Sequence, residues 1–158
     1  MSAGAARETA DAAKERLRLW LRLLKLSRMI EGDLRERLRS EHETTLPRFD
    51  VMAALYRAEA GMKMSQLSGA LRVSNGNITG IVDRLVADGM VVRAQVEGDR
   101  RAMLVRLTKR GREVFAALAA EHENWVDGLL AEVGPEEARA LSGTLKRIAD
   151  HLEEGAAG

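Results

Sequence analysis

No cysteine occurs in the 158 residues of this chain. Disulfides, thiol catalysis and cysteine-based peroxide sensing are therefore excluded, and the composition fits a cytoplasmic protein. A run of about 18 uncharged apolar residues is also missing, so no segment is expected to span a membrane. Motifs of catalysis are absent. There is no glycine-rich phosphate loop, no His-Glu-x-x-His and no nucleophile elbow, while Ser65, Ser68 and Ser74 read better as caps and turn residues. Neither an enzyme nor a bound cofactor is expected. Proline occurs only at Pro47 and Pro135, and both positions read as helix starts. The ends, 1–10 and 155–158, read as frayed tails of small residues, and the start has no apolar segment behind a basic one, as a secretory signal would.

What the chain does have is an uneven charge distribution. Residues 63–112 hold ten Lys and Arg against four acids, a balance of +6, and the remainder balances at −5. A basic segment inside an acidic chain points to a polyanion bound by one face; the plainer alternative is a solvated charged surface.

From about Asp11 to Glu41 the pattern is helical. Leu19, Leu23, Leu26, Ile30 and Leu34 recur at three- and four-residue spacing, and Leu17, Trp20, Leu21 and Leu24 make a second stripe. A helix apolar over more than one face is either a central core helix or one that buries part of itself against another subunit. Thr44-Thr45-Leu46-Pro47 starts a second helix to about Ala58, with Phe49, Met52 and Tyr56 on one side and Ala60-Gly61 ending it. Ser65 is expected to cap a short third helix carrying Leu67 and Leu71. Val73-Ser74 then turns the chain into a fourth, where Ile78, Ile81, Val82 and Leu85 face a core and Asp88-Gly89 makes the stop.

Met90 to Val96 and Asp99 to Thr108 read as two strands of a hairpin around Glu97-Gly98. Lys109 to about Val133 is a long helix with Val114, Phe115, Leu118, Trp125, Leu129 and Leu130. Gly134-Pro135 breaks it, and a last helix carries Leu141, Leu145, Ile148 and Leu152. The expected fold is mainly α with a small β-hairpin wing: a winged helix-turn-helix lobe over 44–112, with dimerisation helices over 11–41 and 113–154.

The order Asp99-x-Arg101-x-x-x-Val105-x-Leu107-Thr108 resembles the wing signature of the MarR family of bacterial transcription regulators. Leu46-Pro47-Arg48-Phe49-Asp50 and Val82-Asp83-Arg84-Leu85 extend the resemblance over about residues 11–154. It implies an obligate homodimer, double-stranded operator DNA as partner, and an effector pocket where the dimerisation helices meet the DNA-binding lobe. It also implies that Arg101 enters the minor groove while Asp99 holds it, that Arg100 meets phosphate, and that Arg84 orients toward the backbone. Leu46 to Met52 with Ser74 to Gly80 looks most like regulators of aromatic-acid degradation, some of which respond to aroyl- or hydroxycinnamoyl-coenzyme A thioesters.

The residues themselves fit that reading. If Ser74 to Asp88 is a recognition helix, Ser74, Asn75, Asn77 and Thr79 lie off its apolar stripe, where asparagine can pair with adenine edges. Gly76 and Gly80 would let its backbone approach a groove closely, at a helix-propensity cost of about 1 kcal/mol each. Alternatively, Asn75-Gly76-Asn77 is simply a turn, and Asp99 with Arg101 a hairpin ion pair. For the effector, Trp20, Phe49, Met52 and Tyr56 offer apolar surface, and Arg18, Arg22, Lys25, Arg28 and Arg48 offer cations for anionic groups. Core packing and a solvated helix face are the plain explanations of the same residues.

Glu41-His42-Glu43 and Glu121-His122-Glu123 form two similar triplets, but Val126 stands one turn after His122 where a ligand would help, and no metal site is expected. The alternatives kept are a constitutive DNA-binding protein without effector, a metal-sensing regulator, and a regulator acting through protein partners.

Overall fold

The computed structural model describes residues 3–71 and 75–158 of the chain, with side chains described for 7–71 and 77–158. The order is α1 (Ala3–His42), α2 (Leu46–Arg57), β1 (Met62–Lys63), α3 (Met64–Leu71), α4 (Asn75–Ala87), β2 (Val91–Val96), β3 (Asp99–Leu107), α5 (Lys109–Leu129) and α6 (Pro135–Ala156). This is a mainly helical winged helix-turn-helix, as the periodicity requires. Two compact units divide it, Met1–His122 and Glu123–Gly158. The boundary falls inside α5.

Several boundaries differ from expectation for local reasons. The first helix begins at Ala3 rather than about Asp11, because the alanines ahead of it are strong helix formers. Glu43 has a left-handed φ of 51° and ends α1, and the Thr44 N–H returns to the Leu38 carbonyl at 3.1 Å. Thr45 then caps α2, its hydroxyl accepting the Arg48 N–H at 3.3 Å, with Pro47 in the first turn. Ser65 does not cap the third helix. It lies inside it, and the Lys63 N–H donates instead to the Gln66 side chain at 2.9 Å, so the helix starts two residues earlier, at Met64.

The expected hairpin, β2 with β3, is present and gains a third strand. Met62 and Lys63 pair with Val105 and Leu104, making a three-stranded antiparallel sheet of order β1-β3-β2. Two residues carry no readable alternation, which is why the sequence concealed this strand. The core of the first unit joins Leu38 of α1, Val51 and Leu55 of α2, Leu67 of α3, Ile78 and Val82 of α4, and Val105 of β3, all fully buried.

The base of the hairpin is joined to α5 through one tight crossing. The Thr108 N–H donates to the Met90 carbonyl at 2.9 Å, its hydroxyl donates to the Gly89 carbonyl at 2.7 Å, and the same oxygen accepts the Gly111 N–H at 3.0 Å. Thr108 is thus both the N-cap of α5 and the tie to the end of the fourth helix.

Candidate nucleic-acid interface

In α4 the buried stripe is Ile78, Val82 and Leu85, with Ile81 half-buried. This i, i+4, i+7 spacing turns Asn77, Thr79, Gly80, Asp83 and Arg84 to the outside, where all are exposed. Ser74 lies outside the described residues. Asn75 opens the helix, so the helix does not wait for Ile78, but its side chain lies outside the described residues.

A Cβ built on Gly80 meets nothing within 4 Å among the described residues, so packing inside the lobe does not require a glycine there. Gly80→Ala is expected to raise thermal stability by up to about 1 kcal/mol through helix propensity. The same change should weaken DNA binding, because the methyl group holds the helix away from the groove. Parallel melting and shift assays check this pair of opposite signs; tighter or unchanged binding would remove the close-approach reading.

At the wing, Gly98 takes φ +84° at the turn. The register then slips between Gln95 and Val96: Val96 faces Asp99 while Gln95 faces Met103. The residues left over on β3 are Arg100, Arg101 and Ala102, so this irregularity sets both arginines at the tip, where they are exposed. Asp99 accepts the backbone N–H of Arg101 at 3.0 Å. The aspartate therefore fixes the main chain beneath the arginine. Among the described residues neither Arg100 nor Arg101 has an ion-pair partner.

A contact that nothing in the sequence signalled couples the two halves of this surface. Arg93 of β2 is ion-paired and hydrogen-bonded to Asp83 of the fourth helix. Arg84 faces Asp88 at 3.7 Å, one turn along.

The expected effector residues are not gathered in one place within a single chain. Arg18 pairs with Glu15, and Trp20, Arg22, Lys25 and Arg28 are exposed along α1. Phe49 and Met52 are buried, with Phe49 packed on Phe115 at 5.4 Å and stacked on the His122 ring at 4.5 Å. Tyr56 lies 5.0 Å from Phe115 and under the Arg112 guanidinium, which also meets Glu59 at 3.2 Å. Burial pushes the His122 pKa below its ordinary value, against a smaller opposing pull from Asp50, so the stacked ring is neutral at neutral pH. Burial, and then Glu31, raise the Asp50 carboxyl, with His122 opposing.

Two of the expected effector residues, Arg48 and Met52, border open space. A cavity of about 590 Å³ between α1, the start of α2 and α4 is lined by Arg35, Arg39, Arg48, Arg84, Asn77 and Gly80 among others. Arg48 also lines a second cavity of about 360 Å³, with Met52 and Leu118. The Glu-His-Glu triplets do meet: His42 Nε2 lies 2.8 Å from Glu121 Oε2, and ligand atoms of Glu41, His42 and Glu121 lie within 4.8 Å of one another. His122, however, is engaged with Phe49.

Residues 44–103 match the model of the MarR family. The HTH-type transcriptional regulator PecS of Dickeya dadantii is 30% identical over 132 residues, covering 82% of this chain and 79% of the relative. The structure of a MarR family transcriptional regulator from Silicibacter pomeroyi superposes with a TM-score of 0.74 at 36% identity, over 90% of this chain and 98% of the other. A mutant of MarR from E. coli complexed with operator DNA gives a TM-score of 0.70 at 27% identity, over 85% and 95%.

Proposed function

This chain belongs to the MarR family of transcriptional regulators, which are not enzymes, and from that premise we propose how it works. It binds a pseudo-palindromic operator as a homodimer, represses there, and is released by an amphipathic anion, an aromatic acid or its coenzyme A thioester. One observation carries the DNA-binding part. A helix with an exposed strip of Asn77, Thr79, Gly80 and Arg84 is tied through Asp83–Arg93 to a wing that presents two arginines without ion-pair partners among the described residues. The strip suits base edges in the major groove, and guanidinium suits the narrow minor groove beside it. The similarity to a regulator solved on operator DNA supports the same assignment. No helix among the described residues is long and apolar enough to cross a membrane.

The dimer rests on apolar surface left open. Leu141, Leu145, Ile148 and Leu152 form one exposed stripe along α6, and Leu17, Leu19, Trp20, Leu21, Leu26 and Met29 are exposed on α1. Stripes of this size on separate helices are interaction surfaces. Light scattering is expected to give twice the chain mass at micromolar concentration; a monomer there would remove the two half-sites, spaced about one helical turn, on which operator recognition rests.

Apolar α1 and α2 surface and the cations Arg18, Arg22, Lys25, Arg28 and Arg48 support the effector class. Calorimetry with p-coumaroyl- and benzoyl-coenzyme A and their free acids, repeated with operator, tests it. Binding of any of the four with loss of DNA affinity is expected. No heat from all four, or binding that leaves DNA affinity unchanged, overturns the effector and leaves the DNA assignment standing.

A further inference from the structure

The first helix carries a second basic surface, separate from that of the winged lobe. Residues 12–30 hold six basic side chains against one acid, Glu15, while the chain outside 12–30 and 63–112 holds nine basic and nineteen acidic residues. Helix periodicity gathers most of these charges. At about 100° per residue, Lys14, Arg18, Arg22, Lys25 and Arg28 fall within roughly one third of the circumference of α1. Leu19, Trp20, Leu23, Leu24, Leu26 and Ile30 occupy the opposite side, in phase with Leu34 and Leu38, which are buried in the lobe. The ridge of cations therefore points away from the lobe. All five are exposed, and only Arg18 has an ion-pair partner, Glu15, among the described residues. From Lys14 to Arg28 the ridge runs about 21 Å at about 1.5 Å per residue, on a helix that fixes the spacing of its charges before anything binds.

We propose that this ridge binds the phosphate backbone of a second DNA duplex, so that a molecule seated on its operator holds another DNA segment as well. A duplex presents one charge per about 1.7 Å of axis, so any sequence in any register offers the ridge more phosphates than it has cations. A lipid surface would take up the apolar side of such a helix, which here points the other way. The centre of a protein interface is poor in lysine and rich in aromatic anchors, whereas between residues 14 and 29 the ridge side has only Leu21 and Met29 besides its cations. The duplex on the ridge is distinct from the operator because the ridge and the lobe lie on opposite sides of α1. Bridging rests on the operator reading above. Duplex binding by the ridge does not, and neither needs an effector, although the effector reading draws on the same cations.

The test immobilises a duplex selected from a random pool, loads it with full-length protein, and offers a labelled duplex of unrelated sequence over a salt series. Lys14→Gln/Arg22→Gln/Lys25→Gln, which keeps good helix formers on an exposed face, runs alongside. The loaded parent is expected to retain the label saturably. The triple variant should lose about tenfold or more in affinity for the labelled duplex. Its slope of log affinity against log salt should fall by about three, one for each phosphate contact removed, and Lys14→Gln alone should take about one.

A triple variant that holds the label with the parent's affinity and slope overturns the ridge, as does a loaded parent that retains no label. Phosphatidylglycerol vesicles and polyglutamate are the remaining arms. Binding of either that the triple variant loses, with no label retained, assigns the ridge to a lipid surface or an acidic protein and overturns the duplex. If no immobilised duplex loads, the operator reading and the bridging fall together. Anisotropy of the unrelated duplex with free protein then decides the ridge by the same loss of slope. Equal melting and equal mass by light scattering guard the triple variant against a folding artefact; where they differ, Lys14→Gln alone carries the test.

Discussion

Arg101→Ala is expected to weaken operator binding by about 1–3 kcal/mol, the scale of a good specific contact, which is roughly 5- to 150-fold in Kd. The physical reason is local. Asp99 holds the backbone N–H of residue 101, not its side chain, so truncation leaves the hairpin intact and removes only the guanidinium. The melting temperature should therefore stay within the small range of surface substitutions, about 0.5 kcal/mol either way. Fluorescence anisotropy at physiological salt, paired with thermal melting, checks both halves. Binding as tight as the parent's would mean that the wing arginine does not enter a groove.

The second large effect concerns folding. Gly111 is buried in the first turn of α5, and a Cβ built on it would lie 2.0 Å from the Met90 carbonyl oxygen. Both the glycine and the oxygen are backbone-bound, so neither can swing aside. The same oxygen accepts the Thr108 N–H, and relieving the clash disturbs the cap that joins the hairpin to α5. Gly111→Ala should cost about 1–3 kcal/mol or more, as overpacking does, and lower the melting temperature by several degrees at about 2–4 °C per kcal/mol. DNA affinity should fall with it, because the base of the wing moves. A variant that melts with the parent would show that the crossing can relax without cost.

Much of this architecture could be read from residue order. Ile78, Val82 and Leu85 declared the buried side of the recognition helix, and with it the outward strip. Pro47, Pro135 and Gly98 marked starts and a turn where backbone chemistry leaves few choices. What remained hidden was tertiary. Met62–Lys63 is too short to show a period, and Arg93 meets Asp83 across a helix end and a strand, a separation that no spacing rule anticipates. Which arginines of the first helix line the cavity was hidden too. The eye goes to the dense basic run near the start of α1, whereas the left-handed turn at Glu43 folds the later arginines, Arg35 and Arg39, over the start of α2 and beside the fourth helix. The direction of that turn is a backbone property of one non-glycine residue, and composition does not encode it.

The Asp83–Arg93 contact has a consequence for how DNA affinity responds to salt. Both side chains are partly open to solvent, at 59% and 32%, so ions screen their attraction. Added salt therefore acts twice: it displaces the protein from phosphates by the usual counterion effect, and it loosens the strut that holds the wing at a fixed angle to the recognition helix. A plot of log affinity against log salt should be steeper than the number of phosphate contacts warrants, and Asp83→Asn should remove the excess slope while lowering affinity at low salt.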